Sequence, residues 1–128
     1  MYISPLERMK KVHIWIGTTS KNEDEFDRYF DQNNDLCQFC KDAGIEQYDE
    51  DFIGIIPVFE SETDICDILA EVPIDEKCID LAVSNSTKLG IEKANAVFYL
   101  TDSSVSIEGY EDKLYNDLKY IGMFDSDL

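Results

Sequence analysis

Seven residues, K-V-H-I-W-I-G from Lys11 to Gly17, constrain this chain more than any other stretch. Val12, Ile14 and Ile16 alternate with His13 and Trp15, the period of two that marks a β-strand, and large side chains occupy both sets. Bulky groups on both faces need cover on both faces, so this segment is predicted to be a central strand. At 128 residues the chain is expected to form one domain that buries roughly two thirds of the surface its unfolded form exposes. Met1 to Arg8 reads as a leader that contributes little, and residues 9–128 as the domain.

The rest of the chain supplies the covering layers. Ser20-x-x-Glu23 matches a capping box, and the stripe Phe26, Tyr29, Phe30 follows at helical spacing. Leu36, Phe39 and Cys40 mark a second helix that closes at Gly44. Phe52 to Phe59 reads as a strand, placed at an edge or ending at Pro57, which has no N–H to give. Ile65, Ile68 and Leu69 mark a third helix, halted before Pro73; Asp75 opens a fourth, with Ile79, Ala82 and Val83 inward and an end near Gly90. Asn95 to Thr101 and Leu118 to Phe124 are further strands, and Val105 to Ile107 is a candidate short one. The expected fold is α+β, a single sheet of about four to five strands covered by helices.

Charge then narrows function. The formal net charge is −17, yet 44% of residues are hydrophobic and 12% aromatic, so the chain is expected to fold and carry its charge outside. Such a surface repels nucleic acid and anionic membranes, and its natural partners are cationic. No apolar run reaches the ~20 residues that span a bilayer, and the N-terminus lacks a signal peptide's pattern, so a cytoplasmic location is expected. The four cysteines are expected to remain thiols there.

The stretch S-K-N-E-D-E-F-D-R-Y-F-D-Q-N-N-D from Ser20 holds six carboxylates and two basic side chains. The helix dipole accounts for Glu23 and Asp24 near the start of the helix, but Asp27, Asp31 and Asp35 lie toward the end it disfavours. Further acidic clusters include Glu46 to Asp51, with Tyr48 inside it, and Glu108 to Asp112 beside Tyr110. Carboxylates mixed with tyrosines suit recognition of a Lys/Arg-rich protein: charge speeds encounter and aromatic anchors supply buried contact. Glu23, Asp24, Asp27, Asp31, Tyr48, Asp49, Glu50 and Asp51 are the candidate partner-binding residues. Solubility alone is the competing explanation of the acidity.

Catalytic readings are weak. Cys37-Gln38-Phe39-Cys40 has the C-x-x-C spacing of redox or zinc sites, but Cys66 and Cys78 do not form a second pair, and Cys40 falls on the buried stripe. His13 is the only histidine, with no nucleophile motif to serve, and reads as a hydrogen-bonded core residue. Asp49-Glu50-Asp51 lacks the spacing of a calcium loop. No catalytic residue, metal site or cofactor is assigned. A small enzyme using His13 or the cysteines, and an acidic nucleic-acid mimic that inhibits a basic housekeeping protein, are the alternatives.

Five blocks carry a family resemblance: K-K-V-H-I-W-I-G-T-T from Lys10, D-E-D-F-I-G-I-I-P from Asp49, E-V-P-I-D-E-K from Glu71, A-N-A-V-F-Y from Ala94 and L-K-Y-I-G-M-F-D from Leu118. Together they resemble the immunity protein 22 family of bacterial polymorphic toxin systems. The resemblance implies a small cytoplasmic α+β protein that binds and neutralises a cognate toxin domain, frequently a nuclease. It assigns no contact residues. On this reading the partner is a toxin with a basic surface, blocked one to one by the acidic residues named above.

Overall fold

A computed structural model describes residues 5–31, 37–45, 52–56, 61–107 and 113–127. Its centre is β1 (Lys11–Gly17), which pairs antiparallel on one side with β5 (Ala96–Leu100) and on the other with β6 (Lys119–Asp125). β2 (Ile53–Ile56) joins antiparallel to the far side of β5, which gives the order β2-β5-β1-β6. Two short strands, β3 (Thr63–Asp64) and β4 (Lys93–Ala94), form a separate pair. The described helical segments are α1 (Pro5–Arg8), α2 (Glu23–Arg28), α3 (Gln38–Ala43), α4 (Ile65–Leu69) and α5 (Ile79–Lys88), the last preceded by a 3₁₀ turn at Glu76–Cys78. The α+β class is as expected from sequence.

Alternation in β1 divides the core into two layers. Trp15 faces a cluster built by Phe98, Leu100 and Tyr120 of the sheet with Phe26, Tyr29, Phe30 and Phe39 from α2 and α3. Its indole stacks on Phe98 at 4.8 Å and meets the edge of Phe39 at 5.2 Å. Such ring pairs contribute about 0.5–1.5 kcal/mol each beyond the area they bury. On the opposite face Val12, Ile14 and Ile16 pack with Val97, Phe124, Ile65, Ile68, Leu69 and Ala82. The central strand is thus covered on both sides, by α2 and α3 on one and α4 and α5 on the other.

Two irregularities shape the sheet. Between Ile14 and Trp15 the register with β6 slips, leaving Ile121 as an extra residue in a β-bulge next to Gly122. Gly122 has φ of 127°, where a side chain is disfavoured, and Asn85 of α5 donates to the Ile121 carbonyl at 2.9 Å. The second is a tight turn from Tyr115 to Leu118 with positive φ at both Asn116 and Asp117, the geometry of a type I′ hairpin. Asn116 donates to the Phe26 carbonyl at 3.0 Å and accepts from Lys21 at 2.7 Å, tying this turn to α2.

Some local expectations need correction. The capping box at the start of α2 is formed by Asn22 and Glu25, not Ser20 and Glu23. The residues before it are held elsewhere: Thr19 N–H donates to Asn95, and Lys21 N–H donates to the Thr19 hydroxyl. Val105 to Ile107 forms no strand, because Asp102 turns the chain there, accepting from Ser104 N–H at 3.0 Å and, through its carbonyl, from Val105 N–H at 3.3 Å. Leu36 and the 57–59 part of the second expected strand lie outside the described residues.

His13 is buried and fully engaged. Nε2 lies 3.0 Å from the Asp102 carbonyl, which only accepts, so this nitrogen carries the proton and Nδ1 accepts from the Tyr120 hydroxyl at 2.7 Å. The Asp102 carboxylate is gripped by Arg8, with Nε at 3.1 Å and Nη2 at 2.6 Å, so α1 is fastened to the loop that binds His13. Burial would raise the Asp102 carboxyl, but Arg8 and Ser104 outweigh it and hold it below the ordinary carboxylate range.

Burial lowers the His13 pKa, outweighing the carbonyl bond and the Asp102 charge that oppose it. Unfolded, this imidazole titrates near 6.5. The unfolded chain therefore takes the proton first as pH falls, so the contribution to stability is complete above about 6.5 and declines below it. Denaturant midpoints at pH 7.5 and 5.5 are expected to show a loss in the native protein and a smaller loss in His13→Gln. Equal slopes in both proteins would contradict the burial of a neutral imidazole.

Candidate partner-binding surface

Helix α2 is short, and its ends show why it forms. Glu25 N–H donates to the Asn22 side chain at 2.9 Å, and the Glu25 carboxylate accepts from Asn22 N–H at 3.4 Å. This start places Glu23, Asp24 and Glu25 in the first turn and Arg28 in the last, the arrangement that the helix dipole favours. Asp27 and Asp31 gain nothing from that source.

Packing decides which side of α2 meets water. Phe26, Tyr29 and Phe30 are buried against Phe98 and Phe39, as the spacing predicted, while the Tyr29 hydroxyl donates to Asp42 at 2.6 Å and Phe39 N–H donates to the Tyr29 carbonyl at 3.1 Å. Those two bonds join α2 to α3. Glu23, Asp24, Asp27, Arg28 and Asp31 are left exposed. Among the described residues Glu23, Asp24 and Asp27 make no ion pair.

The exposed side of α2 and the sheet edge at β2 enclose an open groove of about 620 Å³. Phe30, Ile53 and Ile55 give it an apolar lining; among the described residues Asp24, Asp27 and Asp31 supply three carboxylates against the single cation Arg28. A site of this composition holds the apolar stem of a lysine or arginine while carboxylates meet its charged head. The structure thus gathers Asp24, Asp27 and Asp31 at one groove, with Glu23 on the same short helix but not among its lining residues. Tyr48, Asp49, Glu50 and Asp51 lie outside the described residues, as does Asp35. Sequence reasoning did not include Phe30, Ile53 and Ile55 as part of the surface. The alternation within I-G-I-I from Ile53 is the signal that would have aimed both isoleucines to one side.

The other candidates serve structure. Cys37 caps α3, its sulfur accepting from Cys40 N–H at 3.3 Å, and the two sulfurs lie 3.1 Å apart in the core. Burial, aided by the hydrogen bond with Cys37, pushes the Cys40 thiol up to about 12, so it is not a ready nucleophile at neutral pH. Cys66 is exposed and Cys78 half-buried. Among the described residues no three His, Cys, Asp or Glu side chains gather in a way that could hold a metal ion. His13 has both ring nitrogens occupied and lies away from the groove lining. None of the helices in the described residues is long and apolar enough to cross a membrane.

Neither a curated protein nor a solved structure matches this chain significantly. The sequence model of the family described as Immunity protein 22 does match, over residues 12–127 from the start of β1 to beyond β6, and the protein belongs to that family.

Proposed function

We propose that this protein neutralises a cognate nuclease toxin in the cytoplasm by one-to-one binding through the acidic side of α2, without turnover. Membership of an immunity family implies a toxin partner. The observation that carries the choice of surface is the groove beside α2, where among the described residues carboxylates outnumber cations three to one around an apolar lining. A nuclease must present cations to its phosphate-rich substrate, so an acidic groove competes for the same surface. Glu23 extends the acidic side, and Tyr48, Asp49, Glu50 and Asp51 immediately precede β2 in sequence, so they are assigned to the same partner. Engagement of both His13 nitrogens supports binding rather than catalysis.

We expect a neighbouring reading frame to encode a nuclease-like toxin domain that copurifies with this chain. Between about 0.1 and 1 M salt the screening length shrinks from about 10 to about 3 Å, and the association rate is expected to fall at least about tenfold. The paired change D27K/D31K should slow association by about 10–100-fold at low salt in a protein that still unfolds cooperatively. Reversal of Asp49, Glu50 and Asp51 should act in the same direction. Stopped-flow rates that ignore both salt and these changes would place the partner elsewhere.

Arg28 allows a test of opposite sign. Among the described residues it is the one cation lining the groove, so Arg28→Gln is expected to speed association and tighten the complex by a few-fold. Weaker binding in this variant, read by calorimetry, would mean that Arg28 itself contacts the partner.

A further inference from the structure

The two edges of the main sheet are treated differently. At the end of β6 the outer edge is occupied: Asp75 N–H donates to the Asp125 carbonyl at 2.9 Å, and just beyond it Asp127 N–H donates to the Pro73 carbonyl at 3.1 Å. Along β2 no strand or backbone bond covers the outer edge among the described residues. An apolar open edge invites pairing with another chain, and proteins normally cover it or charge it.

The register identifies which backbone groups this edge offers. Ile53 stands opposite Leu100 and Ile55 opposite Phe98, so Phe52 stands opposite Thr101. Thr101 N–H donates to the Phe52 carbonyl at 2.8 Å, which makes that pair a hydrogen-bonded one. In an antiparallel ladder such pairs alternate, so Gly54 and Ile56 bond to β5, while the N–H and C=O groups of Ile53 and Ile55 point away from it. Ile53 and Ile55 also line the groove beside α2. The free backbone positions and the acidic rim therefore belong to the same residues' surroundings.

We infer that the outer edge of β2 accepts an extended segment of the partner as a fifth strand, with alternate lysine or arginine side chains aimed at Asp24, Asp27 and Asp31. This inference rests on the binding face proposed above and specifies how that face is used. Side chains directly opposite Ile53 and Ile55 share their side of the sheet, so residues i and i+2 of the incoming strand face α2, about 7 Å apart. Intervening side chains lie on the other side, where the Tyr99 ring covers Gly54: a Cβ there would meet ring atoms at 2.0 to 2.4 Å. A second copy of this chain is a poor occupant, because each carries a net charge of −17 and would bring carboxylates to carboxylates. A cationic strand gains main-chain bonds from the edge and charge pairing from the rim, the combination by which added strands obtain affinity and selectivity.

Amide hydrogen exchange, read by NMR on this chain free and bound to its copurifying toxin domain, tests the inference. The Ile53 and Ile55 amides are expected to exchange at least about tenfold more slowly in the complex, whereas Gly54 and Ile56, bonded to β5 already, change less. Ile55→Pro removes an N–H that β5 does not use, and it is expected to weaken binding at least tenfold while Ile55→Val stays within a few-fold. A salt-sensitive complex in which the Ile53 and Ile55 amides keep their free rates overturns the strand inference and leaves the acidic face standing. Undiminished binding by folded Ile55→Pro overturns it as well. If Ile55→Pro does not fold, the exchange measurement decides alone. Failure of any complex to form, or one indifferent to D27K/D31K, overturns the acidic face and the strand with it.

Discussion

Double-sided burial of β1 is the constraint on which the structure depends. Val12, Ile14, Trp15 and Ile16 are fully buried, and a strand in that state must have a ladder on each edge and a layer on each face. β5 and β6 supply the ladders, and the aromatic and aliphatic clusters supply the layers. Once β1 occupies the middle, β2 falls at an edge beyond β5, and α2 lies over the aromatic layer next to it. The groove between α2 and β2 follows from that placement. Its acidity does not, since the exposed Asp27 side chain serves neither the core nor the capping box of α2.

The polar features inside the fold also have structural reasons. His13 occupies a core position because Tyr120 and the Asp102 carbonyl satisfy both ring nitrogens, and Arg8 offsets the cost of the buried Asp102 carboxylate. The Cys37 sulfur closes the start of α3, with the Cys40 sulfur 3.1 Å away. His13 and the buried cysteine pair are thus held within the scaffold, and the Asp27 side chain, in no ion pair among the described residues, remains as a feature that the scaffold does not explain.

Periodicity made much of this legible. The two faces of β1, the stripe of Phe26, Tyr29 and Phe30, the Gly44 cap with φ of 74° and the helix from Ile65 were all readable, because each is a local pattern enforced by burial. The cap of α2 was misplaced by two residues, since Ser20 and Asn22 both suit that role and the choice is made by Asn95 and Asn116, far away in sequence. The Asn116-Asp117 turn and the bulge beside Gly122 also escaped notice, being fixed by long-range register. Three of the candidate carboxylates do line one groove. Its apolar lining was not foreseen, because proximity of α2 and β2 arises only when β5 brings the edge strand under the helix.

On the reading proposed above, the β2 edge and its acidic rim face the partner, while backbone bonds occupy the end of the β6 edge. The most direct test is backbone NMR mapping of the complex with a copurifying toxin domain. The account requires the largest shift changes at Asp24 to Asp31 and Ile53 to Ile56, with α5 from Ile79 to Lys88 almost unperturbed. Changes concentrated on α5 and β6, with α2 silent, would contradict it.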